Sequence, residues 1–391
     1  MPTVEDGPMA DLPVLTDGVV TLRAHRVSDV DGIVEQCVDP DSVRWTTVPT
    51  PYDRELARSY VTEEVPEGWR TGRELNFAIE SEHPDGERRF SGSISLRPMG
   101  GGLAEIAFGL HPAVRGNGVC SRAVKLILDW GFQRGDIEVV LWLAHVGNWG
   151  SWRVAWANGF TFHGTIKKLL SQRGERHDCW QGTLRADDSR EPKHKWNVPP
   201  VLESDRLRMR PHRETDATRY AEILNDERSR HFGGRSVWLS QLPNKEHGIH
   251  RAREANARGD RYDWTIADRE TDELIGQIQL FNLEGLDDTM AGIGYSMHPS
   301  RRGQGVLTEA LGMLTEWAFR EKEKGGLGLR RLKLGTATTN KASRHAAESA
   351  GFLHIATEPD AFPTGETGFE AEAIYHRLNP DWVEVKETPR Y

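Results

Sequence analysis

The chain has 391 residues, 28% of them charged, and a formal net charge of −9; that length has room for two or three domains, and the acidic balance makes nucleic acid an unlikely partner. Its three cysteines, Cys37, Cys120 and Cys179, show no paired spacing, which argues against a disulfide framework and against a zinc site, so no metal is expected. No apolar run reaches the roughly 18 residues of a membrane span, and the acidic, proline-bearing start does not read as a signal peptide, so the expected compartment is the cytoplasm.

Residues 1–14 read as a loose tail. Val19–Arg23 alternates as a strand does, and Ser28 is placed to cap a helix to about Cys37. A second helix is expected from Asp53 to about Val65. Strands follow near Leu75–Glu80, Phe90–Leu96 and Ala104–Leu110. A Gly-rich loop then opens a helix to about Arg134. Strand Val139–Ala144, helix Asn148–Asn158 and strands near Phe160–Lys167 and His177–Leu184 complete the first half. The polar, proline-bearing stretch from Ala186 reads as a linker.

The second half repeats this order. Leu207–Arg210 is a strand, and Thr215 caps a helix to about Leu224. Strands near Trp264–Ala267, Leu274–Asn282 and Met290–Met297 lead to a second Gly loop. Strand Arg331–Ala337, helix Asn340–Ala350 and strands near Phe352–Ala356 and Phe369–His376 close it. The loops themselves repeat. His111-Pro112-Ala113-Val114-Arg115-Gly116-Asn117-Gly118-Val119 returns 187 positions on as His298-Pro299-Ser300-Arg301-Arg302-Gly303-Gln304-Gly305-Val306. Asn148-x-x-Ser151 returns as Asn340-x-x-Ser343, and Gly159-Phe160 as Gly351-Phe352, after five residues are gained near Glu321–Gly326. The expected division is a tail 1–14, a domain 15–185, a linker 186–202 and a domain 203–391. Each domain is an α/β unit with a mixed sheet.

A Gly-rich loop at a helix N-terminus suits a phosphate-bearing ligand, because several backbone N–H groups there lack partners and the helix dipole favours negative charge. Ser121 and Thr308 stand where a dinucleotide fingerprint needs its third glycine, and no Gly-Lys-Ser/Thr follows, so the P-loop pattern also fails. The ordered set resembles the GNAT acyltransferase superfamily: strand, R-G-x-G-V loop, helix, strand, N-x-x-S helix and G-F. It is most similar to the branch of ribosomal-protein alanine N-acetyltransferases. The first copy carries Ala104-Glu105-Ile106-Ala107-Phe108 and Asn148-Trp149-Gly150-Ser151-Trp152-Arg153-Val154. The second carries Gly292-Ile293-Gly294-Tyr295 and Thr308-Glu309-Ala310.

The resemblance implies two tandem GNAT-fold domains, an α/β (α+β) class with mixed, mostly antiparallel sheets flanked by helices. It implies an acyl-CoA-dependent N-acyltransferase with acetyl-CoA or another acyl-CoA as co-substrate. The pyrophosphate would lie on the amides of Val114, Arg115, Gly116, Asn117, Gly118 and Val119, and of Arg302, Gly303, Gln304, Gly305 and Val306, with a contact from Arg115 or Arg302. Phe108, Leu110 and Met297 would run beside the pantetheine arm. Asn148 and Asn340 would contact that arm, and Ser151 and Ser343 would lie near the thioester sulfur. Capping a helix is the ordinary role of such Asn and Ser residues.

An amine must be neutral to attack, and a carboxylate or imidazole can take its proton. Glu105 is the expected base, with His145 second; Gly292 and Ala337 stand at these positions in the other copy. The first copy is therefore expected to do the chemistry, and the second to bind CoA weakly or shape the acceptor cleft. Acceptor candidates are a small amine, a peptide or a protein N-terminus. An acyl carrier protein or long-chain donor, and a non-catalytic CoA sensor or scaffold, are the alternatives. Trp149, Trp152 and Trp156 share one helix face, which suits core packing between the two copies or an apolar surface for a large acceptor or a long acyl chain.

Overall fold

The computed structural model describes residues 12–233, 246–283 and 287–382; most of the expected tail lies outside them. The chain divides into two compact units between Lys193 and His194.

The first unit has strands β1 (Leu15–Thr16), β2 (Thr21–Arg23), β3 (Leu75–Glu82), β4 (Arg88–Gly100), β5 (Leu103–Leu110), β6 (Val139–His145), β7 (Thr161–Gln172) and β8 (Glu175–Arg185). Its helices are α1 (Val30–Val38), α2 (Pro40–Trp45), α3 (Arg54–Ser59), α4 (Val65–Thr71), α5 (Val119–Gln133) and α6 (Trp149–Ala157). The sheet order is β1-β2-β3-β4-β5-β6-β8-β7. Every neighbour is antiparallel except β5 and β6. The alternation read in the sequence sorts the side chains. Phe77, Ile94, Leu96 and Ile106 are buried against α5, while Ala78 joins Ile33, Cys37, Ala57 and Val61 under α1 and α3.

The helix expected to end near Val65 runs on to Thr71. A π turn over Tyr60–Glu64 precedes Pro66, which then sits in the first turn of α4. There its missing N–H costs little, so this proline does not end the helix. α2 was not anticipated; it is a single capped turn, with the Asp39 carboxylate accepting from the Ser42 amide at 3.0 Å.

The second unit has strands β9 (Leu202–Glu203), β10 (Leu207–Arg210), β11 (Arg261–Asp268), β12 (Leu274–Phe281), β13 (Met290–Met297), β14 (Arg331–Ala337), β15 (Leu353–Thr364) and β16 (Gly368–Leu378). Its helices are α7 (Ala217–Asn225), α8 (Glu227–Phe232), α9 (Glu246–Ala257), α10 (Val306–Phe319) and α11 (Lys341–Ser349). The order β15-β16-β14-β13-β12-β11-β10-β9 is the same plan, with β13 and β14 as the parallel pair.

The expected linker is packed. Arg190 stacks over Phe132 in the first unit. Asn197 is buried in the second, its amide donating to the carbonyls of Gly259 and Arg261 at 2.9 and 3.0 Å.

Candidate active site

The fold places a fork beside each Gly loop. β5 and β6 pair only from Leu103↔Val139 to Ile106↔Trp142, yet β5 runs to Leu110 and β6 to His145. In the second unit the parallel ladder stops at Gly292↔Lys333, while β13 runs to Met297 and β14 to Ala337. Beyond each ladder, alternate backbone groups on the inner edges lose their strand partner and can meet a ligand. Phe108 and Leu110 lie on β5 past the end of its ladder, and Met297 ends β13.

The loops at the fork mouths have matching backbones. A His opens a 3-10 turn in each copy, with its ring accepting from the amide two residues on at 3.3 Å. Gly116 and Gly118 have φ of 81° and 76°, and Gly303 and Gly305 have 73° and 76°. This left-handed backbone is easy only for glycine. It turns the chain so that Gly118 and Gly305 become the N-caps of α5 and α10. Val114 and Val119 are buried and anchor the first loop. The amides of Val114 and Arg115 bond within the 3-10 turn, and the Arg122 amide reaches the Gly118 carbonyl. Among the described residues, the amides between them, Gly116 to Ser121, have no backbone acceptor. An anion fits there. In the second loop the Arg206 guanidinium bonds the Gln304 carbonyl at 3.3 Å and the Glu309 carboxylate. Glu309 thus supports the loop.

The Arg115 and Arg302 guanidiniums are both engaged by groups of their own unit. Arg115 donates to the Asp39 carboxylate at 2.6 Å, the Ser42 hydroxyl at 3.0 Å and the Leu110 carbonyl at 3.1 Å. Arg302 repeats this with Asp226, Ser229 at 3.0 Å and the Met297 carbonyl at 3.1 Å. Burial works against the Asp39 charge, yet the bonds from Arg115 and the Ser42 amide hold its carboxyl below the usual range. The guanidinium ties the strand end, the loop and a short helix far upstream, α2 or α8, together. It is a brace between them.

Asn148 caps α6, its side chain accepting from the Ser151 amide at 3.1 Å, and Asn340 caps α11 through the Ser343 amide at 3.4 Å. The two serines are held differently. The Ser151 hydroxyl accepts from the Trp142 indole at 2.9 Å, so its own proton stays available. Ser343 pairs with the Tyr295 hydroxyl at 2.7 Å. Burial pushes the Tyr295 phenol up to about 12, so it stays protonated.

Glu105 lies one residue before the first ladder ends, opposite Leu141. Its face also carries Ala107, the first residue of the open fork on that side. They stand two positions apart, about 7 Å along the strand, a reach suited to one bridging water. Its carboxylate pairs with Arg97 at 3.5 Å and is partly exposed. His145 stands four residues beyond Leu141, about 13 Å along the strand, at the open end. Its ring is buried beside His177, with centroids 5.0 Å apart, and Trp45 lies at 6.4 Å. Burial, then the neighbouring His177, lowers its pKa, so it is neutral at pH 7. The two candidate bases do not meet. Glu105 is beside the fork's apex, and His145 lines its entrance.

The second fork differs in matched pairs of residues. Where Arg97 faces Glu105, Phe281 faces Gly292, and the ring fills the space, 2.5 Å from where a residue-292 Cβ would stand. Where Ser95 faces Ala107, Gln279 faces Gly294, its amide nitrogen 2.6 Å from the corresponding Cβ place. Where Leu143 and Cys179 stand in the first copy, the second has Gly335 and Glu372, and a Glu372 oxygen occupies the Cβ place of residue 335. Sequence reasoning missed Glu372. Its position on the fork depends on the register of β16 against β14, which puts it opposite Ala337.

Among the described residues no group of three or more His, Cys, Asp or Glu could hold a metal ion, and no helix is long and apolar enough to cross a membrane. The three cysteines are unpaired and buried.

The model of the acetyltransferase (GNAT) domain family matches twice, over residues 20–161 and 206–353. The chain is 32% identical over 95 residues to the probable N-acetyltransferase YjcK of Bacillus subtilis (strain 168), spanning 24% of this chain and 50% of that protein's length. It is 31% identical over 159 residues to the uncharacterized N-acetyltransferase YoaA of the same organism, covering 39% of this chain and 82% of the relative. Among solved structures, the ribosomal-protein-S5-alanine acetyltransferase from Vibrio fischeri is similar at 17% identity and a TM-score of 0.41, over 47% of this chain and 100% of that one. With the family model covering most of its length in two consecutive copies, this chain belongs to the GNAT acetyltransferase family.

Proposed function

We propose that the first copy transfers an acyl group, in the simplest case acetyl, from acyl-CoA to a primary amine by direct attack, with Glu105 as general base. The observation that supports this is the conjunction of an amide-lined loop, a strand fork and a carboxylate beside the fork's apex. The loop amides Gly116 to Ser121 take the pyrophosphate. The pantetheine arm lies along Phe108–Leu110, with the Asn148 side chain beside it. Strand amides past Ile106 polarise the thioester carbonyl. Glu105, through one water, takes the proton from the attacking nitrogen. The carbon–nitrogen bond forms and the carbon–sulfur bond breaks. The Ser151 hydroxyl, positioned by the Trp142 indole, hydrogen-bonds the departing sulfur, which takes its proton from solvent. A protein α-amine near pKa 8 needs less help than a lysine-type amine, so peptides with free N-termini lead the acceptor panel.

Two measurements test this. Acetyl-CoA is expected to raise the melting temperature, since it binds only the folded chain. Thiol release should then appear with one class of amine. Glu105→Gln should lower kcat/KM by about 10²–10³-fold while acetyl-CoA still stabilises the chain. Undiminished turnover in that variant would remove Glu105 from the role, and stabilisation without thiol release on any amine would favour a sensor.

A further inference from the structure

We propose that the second copy is a second acyl-transfer site with a base of its own, Glu372, delivered to the fork from β16 instead of from β13. The inference rests on the acyl-transfer reading of the first copy. At three places on the inner face of the second fork a residue of the first copy is replaced by glycine, and a neighbour has enlarged into the gap. Phe281 fills the place left by Glu105, which closes the route used in the first copy. Gln279 and Glu372 flank the next position, between Gly294 and Gly335. Those two glycines would face each other had the ladder continued past Gly292↔Lys333. A carboxylate over Gly335 therefore stands at the fork, past the end of the parallel ladder.

Glu372 is also uncommitted. Glu105 is paired with Arg97, and Glu370, two residues from Glu372, is bonded to Thr339 and faces His231 at 3.5 Å. Among the described residues Glu372 has no hydrogen-bond or ion-pair partner. Its surroundings set its basicity. Burial, and then the Glu358 carboxylate across β15, push its pKa up, with Lys333 opposing. A carboxylate with a raised pKa and no hydrogen-bond or ion-pair partner is a better proton acceptor than one paired with a guanidinium. The remaining parts are present. Loop amides stand at the start of α10, Asn340 caps α11, and the Tyr295–Ser343 hydroxyl pair lies against the same strand. The step balances as in the first copy. The amine nitrogen bonds to the thioester carbon and its proton passes to Glu372. The carbon–sulfur bond breaks, and the thiolate is protonated from water. Glu372 returns the proton to solvent.

The test uses the full chain and the two carboxylates separately. Glu105→Gln should leave residual thiol release, on the same or a different amine. Adding Glu372→Gln should lower that remainder by a further 10²-fold or more. Gly335→Ala in the Glu105→Gln background should act like Glu372→Gln, because the new Cβ takes the place of the carboxylate oxygen. Glu370→Gln should not. Calorimetric titration with the non-reactive ketone analogue of acetyl-CoA, in buffers of different ionisation enthalpy, gives a readout independent of turnover. Filling the second fork excludes water from Glu372 and should draw in protons, an uptake lost in Glu372→Gln with analogue binding retained. A double variant as active as Glu105→Gln alone, or proton uptake unchanged in Glu372→Gln, overturns the proposal. Loss of transfer in Glu372→Gln with none in Glu105→Gln would instead overturn the role of Glu105 and leave this one standing. If no amine accepts from the wild-type chain, the acyl-transfer reading fails, and the proton uptake alone decides whether Glu372 meets the bound ligand.

Discussion

Single residues in the loops separate shape from charge. Gly118 has φ of 76°, and a Cβ there would meet nothing within 4 Å. Any cost of substitution is therefore backbone strain. Gly118→Ala should cost about 1–2 kcal/mol, and Gly118→Asn less, because Asn enters the left-handed region more readily. Thermal melts of the two variants check this order, and equal losses would mean that the side chain meets something when the loop moves. Arg115 makes the complementary case. Its guanidinium braces Asp39, Ser42 and the Leu110 carbonyl, so removing it should loosen the loop without touching the reacting atoms. Arg115→Ala is expected to raise KM for acetyl-CoA about 3- to 10-fold with kcat nearly unchanged. A fall in kcat at constant KM would place the guanidinium at the reaction instead. The arginines were legible in the sequence as conspicuous loop charges. Their partners were not, because Asp39 and Asp226 lie over seventy residues upstream in short helices that carry no strong periodic signal.

At the scale of elements, the tryptophan helix shows what spacing reveals and what it leaves open. The common face of Trp149, Trp152 and Trp156 was readable from i, i+3 and i+7. What it packs against is decided by β7 and β8. Trp152 is buried, stacked on Phe162 with centroids 4.2 Å apart and against Trp180 at 4.6 Å. Trp149 meets Trp180 at 4.6 Å, and the Arg153 guanidinium lies 4.3 Å over Trp156. Trp152 is core within the first unit, and Trp149 and Trp156 are partly buried beside it. Trp152→Ala should cost about 3–5 kcal/mol and leave the preference between short- and long-chain donors unchanged. Denaturant unfolding gives the first quantity, and donor competition the second. A variant of wild-type stability with a broadened donor range would return Trp152 to the substrate. Glu372 shows the same limit on reading. The alternation Phe369-Glu370-Ala371-Glu372 announces a strand, but which carboxylate reaches the fork depends on register with β14, and a one-residue slip moves every side chain to the other face.

Across the whole molecule, the repeat was the most legible feature, because both copies keep the loop, the caps and the strand order. The differences were less legible where substitution in one strand is answered in another. The copies share one further device, a histidine after the second strand of each sheet whose fate sets how the chain responds to acid. His25 and His212 are both buried. Burial drives His25 down to about 4, although its bond with Asn76 at 3.1 Å opposes this, and drives His212 down to about 3. Both fold neutral, and in the unfolded chain both titrate near 6.5. Below pH 6.5 the unfolded state therefore binds more protons, and stability is lost as the pH falls toward 4. Asp263 acts the other way. Burial pushes it up to about 6, with Arg261 only partly offsetting. Its protonation between pH 6 and 4 relieves a cost of the folded state. Each histidine is displaced at least as far as the aspartate, so two histidines outweigh one aspartate. The melting temperature should fall steadily from pH 6.5 to 4. Asp263→Asn removes the opposing contribution and should make that fall steeper, while His25→Gln should make it shallower. Scanning calorimetry of the three proteins across this range decides the matter. A wild-type melting temperature that is flat or rises on acidification would mean that the histidines are reached by water in the folded chain.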